Sequence, residues 1–195
     1  MCGIIAYCGT EAALPIVLSG LKRLEYRGYD SAGVAILDAG GAITVFKSAG
    51  RINDLHSAVD HTVRGATAIG HTRLATHGRP ADYNAHPHVD CSGKVAVIHN
   101  GIVENYLDLK AQLEREGHTF RSQTDTEVIP HLIEKHLQGG MGFEDAVRRT
   151  ASQLEGAHAI VVVNQGSPGT VIGARIGHAG GLVVGYGHGA MYLAS

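Results

Sequence analysis

The sequence predicts an α+β fold built mostly from antiparallel sheets, with helices segregated from strands. Strand-like runs cluster at both ends of the chain, while helical periodicities fall near the start and through the middle instead of alternating with strands. Two early strand runs are joined through Asp38-Ala39-Gly40-Gly41, a hairpin signal. The chain has 195 residues, 44% hydrophobic and 17% charged, enough for one domain with a sizeable core.

Cys2–Cys8 reads as a first strand, its Ile4-Ile5-Ala6-Tyr7 run apolar enough to be buried. Leu14, Val17, Leu18, Leu21 and Leu24 recur at helical spacing within Glu11–Glu25, and Pro15 is tolerable there in the first turn. Tyr26–Ser31 is a polar loop flanked by aromatics. Ala32–Leu37 and Ala42–Lys47 are strands, Ile52, Leu55 and Val59 mark a short helix, and Ala66–Ile69 is a strand leading into His71. His71–Ser92 has no periodicity. A loop of that length in a compact domain is usually functional or disordered, and its composition is too specific for a linker. Lys94–Ile98 is a strand ending in His99-Asn100-Gly101. Three helices follow, marked by Ile102 to Leu113, by Thr124 to Leu137 and by Phe143 to Leu154. Strands Ala159–Val163, Thr170–Ile176, Leu182–Tyr186 and Met191–Ala194 complete the chain. The last strand stops abruptly at Ser195, from which we expect a chain cut within a larger parent.

The bulk numbers exclude several classes. A formal net charge of -2 gives no basic surface for nucleic acid or anionic membrane. No apolar run approaches the ~20 residues of a membrane span, and the start lacks a secretory signal. Cys2, Cys8 and Cys91 are an odd count without disulfide-scaffold spacing, which predicts a reduced, cytoplasmic protein. Thirteen histidines invite a metal reading, but His86-Pro87-His88 has no accompanying Cys-x-x-Cys or His-Glu-x-x-His spacing, so no metal is expected. Cys8 and Cys91 are expected to be inert. Gly-rich 177–189 lacks the Gly-Lys-Ser/Thr ending and the following helix of a phosphate loop.

The chemistry points to the N-terminus. A small residue after the initiator allows Met1 to be trimmed, leaving on Cys2 both a thiol and a free α-amine. The thiol titrates near ~8.5 and the amine near ~7.7–8.0, so at neutral pH part of the amine is a base beside a nucleophile. Arg73, in Thr72-Arg73-Leu74-Ala75-Thr76-His77-Gly78, suits a carboxylate that it can fork, with Thr76 and His77 adding polar contacts. Asn100 and the Gly101 N–H, between a strand and a helix, suit an oxyanion hole. Thr124-Asp125-Thr126-Glu127 fits a capping box from Thr124 to Glu127, which leaves Asp125 for a ligand ammonium.

Taken in order, Cys2-Gly3-Ile4, Leu24-Glu25-Tyr26-Arg27-Gly28-Tyr29-Asp30-Ser31-Ala32-Gly33, His71-Thr72-Arg73, Ala75-Thr76-His77-Gly78, Asn84-Ala85-His86-Pro87-His88, His99-Asn100-Gly101-Ile102 and Thr124-Asp125-Thr126-Glu127-Val128 resemble the N-terminal glutaminase domains of the glutamine–fructose-6-phosphate aminotransferases. The likeness runs over essentially the whole chain. It implies an N-terminal nucleophile hydrolase fold, a four-layer αββα sandwich of two antiparallel sheets between helices, and no cofactor. It further implies that Cys2 attacks the side-chain amide of L-glutamine with its own α-amine as base. Asn100 and Gly101 would stabilise the oxyanion, Arg73 would hold the substrate carboxylate with Thr76 and His77 nearby, and Asp125 would hold the ammonium.

Ammonia would serve a sugar-isomerase half, absent here, that acts on fructose 6-phosphate, and the full-length enzyme would be a homodimer. Leu74 stands where this family usually carries the tryptophan of a mobile lid, so a poorer lid is expected. A retained Met1 would block the general base. Two other readings stand beside this one: a catalytically idle glutamine-binding or assembly module of the same fold, and a histidine-rich metal protein.

Overall fold

The structure, a computed structural model, describes residues 2–38, 40–187 and 189–195. Met1, with the question of its removal, and Ala39 of the expected hairpin turn lie outside them. The strands are β1 (Gly3–Cys8), β2 (Ser31–Leu37), β3 (Ile43–Ala49), β4 (Thr67–Arg73), β5 (His88–Val89), β6 (Val95–Gly101), β7 (His158–Asn164), β8 (Val171–Ile176), β9 (Val183–Gly187) and β10 (Ala190–Ala194). The helices are α1 (Ala13–Leu24), α2 (Ile52–Ala58), α3 (Tyr106–Arg115), α4 (Val128–Gln138) and α5 (Phe143–Ala151). Short 3-10 turns cover Glu25–Arg27, Asp82–Asn84 and Asp125–Glu127.

Two antiparallel sheets form, one of six strands in the order β3-β2-β4-β1-β10-β9 and one of four in the order β5-β6-β7-β8. They stack on each other, and each is covered on its other face by helices. Side-chain alternation accounts for this. On β6, Ala96 and Ile98 point into the layer between the sheets, while Val95 and Val97 point toward α3, α4 and α5. On β7, Ala159, Val161 and Val163 face the other sheet, and Ile160 and Val162 face the helices. β1 behaves likewise, with Ile4 and Ala6 between the sheets and Tyr7 toward α1. Both faces of these strands are therefore apolar, unlike the one-sided pattern of an antiparallel sheet open to water. The expected four-layer αββα arrangement is what the chain forms.

Element boundaries differ from expectation where tertiary pairing overrides local pattern. β4 continues through His71 to Arg73, because Thr72 pairs with both Gly3 and Ala32. The helix expected from Ile102 starts only at Tyr106. Before it, the backbone of Val103 is held by Asp125 and that of Glu104 by Glu155. The Thr124–Glu127 capping box does not form. Thr124 makes no side-chain cap, and the Glu127 carboxylate turns back to accept from the N–H groups of Arg121 and Ser122 at 2.8 and 2.7 Å.

The layer between the sheets is where the stability should be most sensitive. Ile98 is fully buried there. Ile98→Ala should lower unfolding free energy by about 2–5 kcal/mol. Leu107→Ala, on an exposed helix face, should change it by less than about 0.5 kcal/mol. Urea titrations with unchanged slopes check both.

Candidate active site

Cys2 stands at the entry to β1, and the pairing of Gly3 with Thr72 brings it beside the end of β4. The Leu74 N–H donates to Cys2 Sγ at 3.2 Å, and Sγ approaches the Leu74 carbonyl at 3.6 Å.

The opposite wall comes from the second sheet. Asn100, near the end of β6, donates through Nδ2 to the Cys2 carbonyl at 2.9 Å, and its Oδ1 accepts from His71 Nε2 at 2.9 Å. That amide orientation requires His71 to carry its proton on Nε2. One Nδ2 proton remains for a ligand. Gly101 has φ +140, and a Cβ there would stand 2.2 Å from the Ala157 carbonyl and 2.8 Å from His99 Nε2, so no other residue fits.

Arg73 is nearly fully buried. Its Nη2 is tied to the carbonyls of His77 and of Gly78, while Nη1 is buried with no hydrogen-bond partner among the described residues. Burial lowers the guanidinium pKa and the nearby Cys2, Asp125 and Asp30 oppose that, leaving a cation. The loop after Arg73 is braced from behind by the Tyr-Arg-Gly-Tyr-Asp segment. Asp30 accepts from the Ala75 N–H at 2.8 Å, and Gly28 lies so close to Arg73 that a Cβ would meet its carbonyl carbon at 2.7 Å.

These groups line one cavity of about 490 Å³, within the usual range for small-molecule sites. Cys2, Arg73, Leu74, Thr76, Asn100, Gly101 and Asp125 all reach it. His77 does not. Its ring packs edge-on against Tyr106 with Nε2 3.2 Å from the phenol oxygen, and its carbonyl braces Arg73. Asp125 is buried and accepts from the Val103 N–H at 2.7 Å. Glu104 and His178-Ala179-Gly180 also line the cavity, and the sequence reading missed them. Glu104 is a lone residue between β6 and α3, and residues 178–180 lie in a glycine-rich connection, so neither carries a periodic signal. A second cavity of about 760 Å³ near Tyr7, Cys8 and Tyr192 lacks any such set of functional groups among the described residues.

Beneath the cavity the histidines form a neutral network. Thr126 Oγ1 bridges His86 Nε2 and His99 Nδ1 at 3.1 and 2.9 Å. His99 Nε2 meets His158 Nδ1 at 3.0 Å, and His88 Nε2 meets Thr124 Oγ1 at 3.0 Å. His86 and His88 spend their Nε2 atoms on threonines. Burial is the leading cause of depressed pKa in each of them: His71 falls to about 4, His99 to about 3, and His86 and His88 well below the usual value.

Residues 54–195 match the family described as the glutamine amidotransferase domain. The chain belongs to that family. Relatives of this glutamine amidotransferase domain include the glutamine–fructose-6-phosphate aminotransferases (isomerizing) of Symbiobacterium thermophilum, 54% identical over 196 residues, and of Aquifex aeolicus, 52% identical over 196 residues. Each match covers all of this chain but 31% and 32% of the relative, so the chain spans about a third of their length. Among solved structures it resembles the glutamine phosphoribosylpyrophosphate amidotransferase of B. subtilis, with a TM-score of 0.83 at 32% identity over 98% of this chain and 41% of that one. It also resembles a structure described as the allosteric regulatory enzyme of purine biosynthesis, with a TM-score of 0.85 at 32% identity over 99% and 41%. The fold is that of the N-terminal nucleophile amidotransferases.

The buried histidines give this amidotransferase domain a pH-dependent stability. A histidine held neutral in the fold takes up its proton more readily when unfolded. Acidification below about pH 6.5 therefore favours the unfolded chain, and the loss continues until pH drops through the folded values of about 4 and about 3. The melting temperature should fall steadily between pH 6.5 and 4, with a smaller slope in His99→Gln than in the parent, as read by calorimetry.

Proposed function

We propose that this domain hydrolyses L-glutamine to glutamate and ammonia through a thioester on Cys2, and that in a full-length parent the ammonia serves conversion of fructose 6-phosphate to glucosamine 6-phosphate. The single observation that carries the reading is the cavity itself. A thiol meets an amide donor at one end, and a buried guanidinium with a free Nη1 and a buried carboxylate reach the same space. Free glutamine is a zwitterion. Arg73 through Nη1 suits its α-carboxylate, and Asp125 its α-ammonium, a pairing that selects a free amino acid over a peptide.

The steps balance with residues in hand. Cys2 Sγ adds to the side-chain amide carbon, and the thiol proton passes to the α-amine of Cys2 once Met1 is removed. The oxyanion lies against the second Nδ2 proton of Asn100 and the Gly101 N–H. The C–N bond then breaks, the α-amine hands its proton to the departing nitrogen, and ammonia leaves a γ-glutamyl thioester. Water adds to that thioester, releasing glutamate and restoring the thiol. Thr76 lies at the cavity rim, and His77 acts through the carbonyl that braces Arg73. The sugar-isomerase half and a homodimer belong to the longer parent, with the present chain as its glutaminase domain.

Leu74 supplies the N–H that faces Cys2 Sγ, while its partly exposed side chain covers the cavity with less area than an indole. In the full-length parent, glutamate formation should therefore outrun amino-sugar formation, and Leu74→Trp should bring the two closer. A one-to-one ratio in the parent would reject the weaker lid.

Met-free protein tests the chemistry. A glutamine analogue with an electrophilic side chain should label Cys2 alone by peptide mapping, and labelling at Cys8 or Cys91 in its place would remove Cys2 as nucleophile. Cys2→Ala should abolish glutamate release while glutamine binding stays measurable by calorimetry. Arg73→Lys keeps the charge but loses the fork, and kcat/KM for glutamine should fall by roughly 10–100-fold. An unchanged value would take Arg73 out of the site.

A further inference from the structure

Away from the cavity, Cys91, His118, His131 and Glu134 converge although they come from separate stretches of chain. Cys91 sits in the turn between β5 and β6, His118 in the connection after α3, and His131 and Glu134 on α4. Cys91 Sγ is 3.6 Å from His118 Nδ1 and 3.5 Å from His131 Nδ1. Glu134 Oε2 is 3.0 Å from His118 Nδ1 and 3.5 Å from His131 Nδ1. All four atoms lie within 4.8 Å of one another. A zinc tetrahedron with bonds of about 2.3 Å to sulfur and 2.0–2.2 Å to nitrogen and oxygen has edges of about 3.3–3.6 Å. Four of the six donor–donor distances thus lie close to the edges of such a tetrahedron. Part of the set is hydrogen-bonded, with Glu134 Oε2 accepting from His118 Nδ1 at 3.0 Å and the Cys91 N–H at 3.2 Å and Cys91 Sγ from the Thr119 N–H at 3.4 Å, but 3.5 Å from His131 Nδ1 to Glu134 is longer than an ordinary N–H···O bond.

The surroundings agree. His131 Nε2 is buried without a hydrogen-bond partner among the described residues and lies 3.8 Å from Glu127 Oε1. A carboxylate behind the second ring nitrogen is the usual outer-shell partner of a metal-bound histidine. A thiolate and a carboxylate with two neutral imidazoles would also balance a divalent charge in this largely buried place. Burial raises the Cys91 thiol pKa, and a coordinating cation reverses that by taking the thiolate form.

We propose that Cys91, His118, His131 and Glu134 bind one zinc ion, or a divalent ion of similar softness, as a closed structural site. Four protein ligands leave no open position for substrate, so the role is to staple. The ion would tie the β5–β6 turn and the loop after α3 to α4, whose entry turn carries Asp125 and Thr126 into the cavity wall. Cys91, expected from the sequence to be inert, becomes a ligand in this reading.

Cobalt(II) titration of the tag-free, reduced, chelator-dialysed full chain tests this. One equivalent should bind, giving the intense visible bands of tetrahedral cobalt and a near-ultraviolet thiolate charge-transfer band, both lost on adding zinc. Cys91→Ser should lose the charge-transfer band, while Cys2→Ala and Cys8→Ser keep it. X-ray absorption on the zinc-loaded wild type, which needs no variant to fold, should show one sulfur and three nitrogen or oxygen neighbours. Failure to bind one equivalent at micromolar protein, a pale octahedral spectrum, a sulfur-free shell, or a charge-transfer band that survives in Cys91→Ser would each overturn the proposal.

Discussion

The pairing of β1 with β4 is the constraint on which the site depends. Gly3 lies opposite Thr72, and its N–H donates to the Thr72 hydroxyl at 3.2 Å, so residue 2 must stand beside residues 73 and 74. The same β4 pairs on its other edge with β2, placing Ser31 opposite Arg73 and Asp30 behind the loop that follows. Both faces of β1, β2 and β4 are covered, one by the second sheet and one by α1 and α2. A slip of one residue would exchange the two faces and expose or clash both sets of side chains. Core packing thereby enforces the register that brings a thiol to an arginine.

The second sheet completes the site through stacking, not pairing. Its strand β6 runs under β1, and Asn100 near its end bonds the Cys2 carbonyl across the gap. Polar groups this deep need partners, and the histidines provide them without charge. His71 orients Asn100, while His86 and His99 share the hydroxyl of Thr126, next to Asp125. Neutral imidazoles both donate and accept, which suits a buried junction where an unpaired charge would be costly. Several of the histidines serve as wiring between the sheets, and two more sit in the cluster around Glu134.

Much of this was legible beforehand. The apolar runs of β1, β6 and β7 and the periodicity of α1 and α4 are local signals, and the structure places elements where they predicted them. Cys2, Arg73, Asn100, Gly101 and Asp125, which the structure brings to one cavity, stood out beforehand because each belongs to a short motif whose residue types suit one chemistry. Harder to read were Glu104 and His178, single residues that enter the cavity only through the fold, and His77, whose side chain turns toward Tyr106. The expected capping box failed because Glu127 finds better donors in the backbone of Arg121 and Ser122.

By itself the sequence determined most of the elements, the candidate groups and the family to which their order belongs, since these depend on neighbours along the chain. Only the tertiary structure decided which groups meet. Cys2 and Leu74 are 72 residues apart, Cys2 and Asn100 98 apart, and Cys91 and His131 40 apart. No local pattern records such separations. They are set by which strand edges pair and which faces stack, and that follows from burying the apolar sides of the strands and helices together.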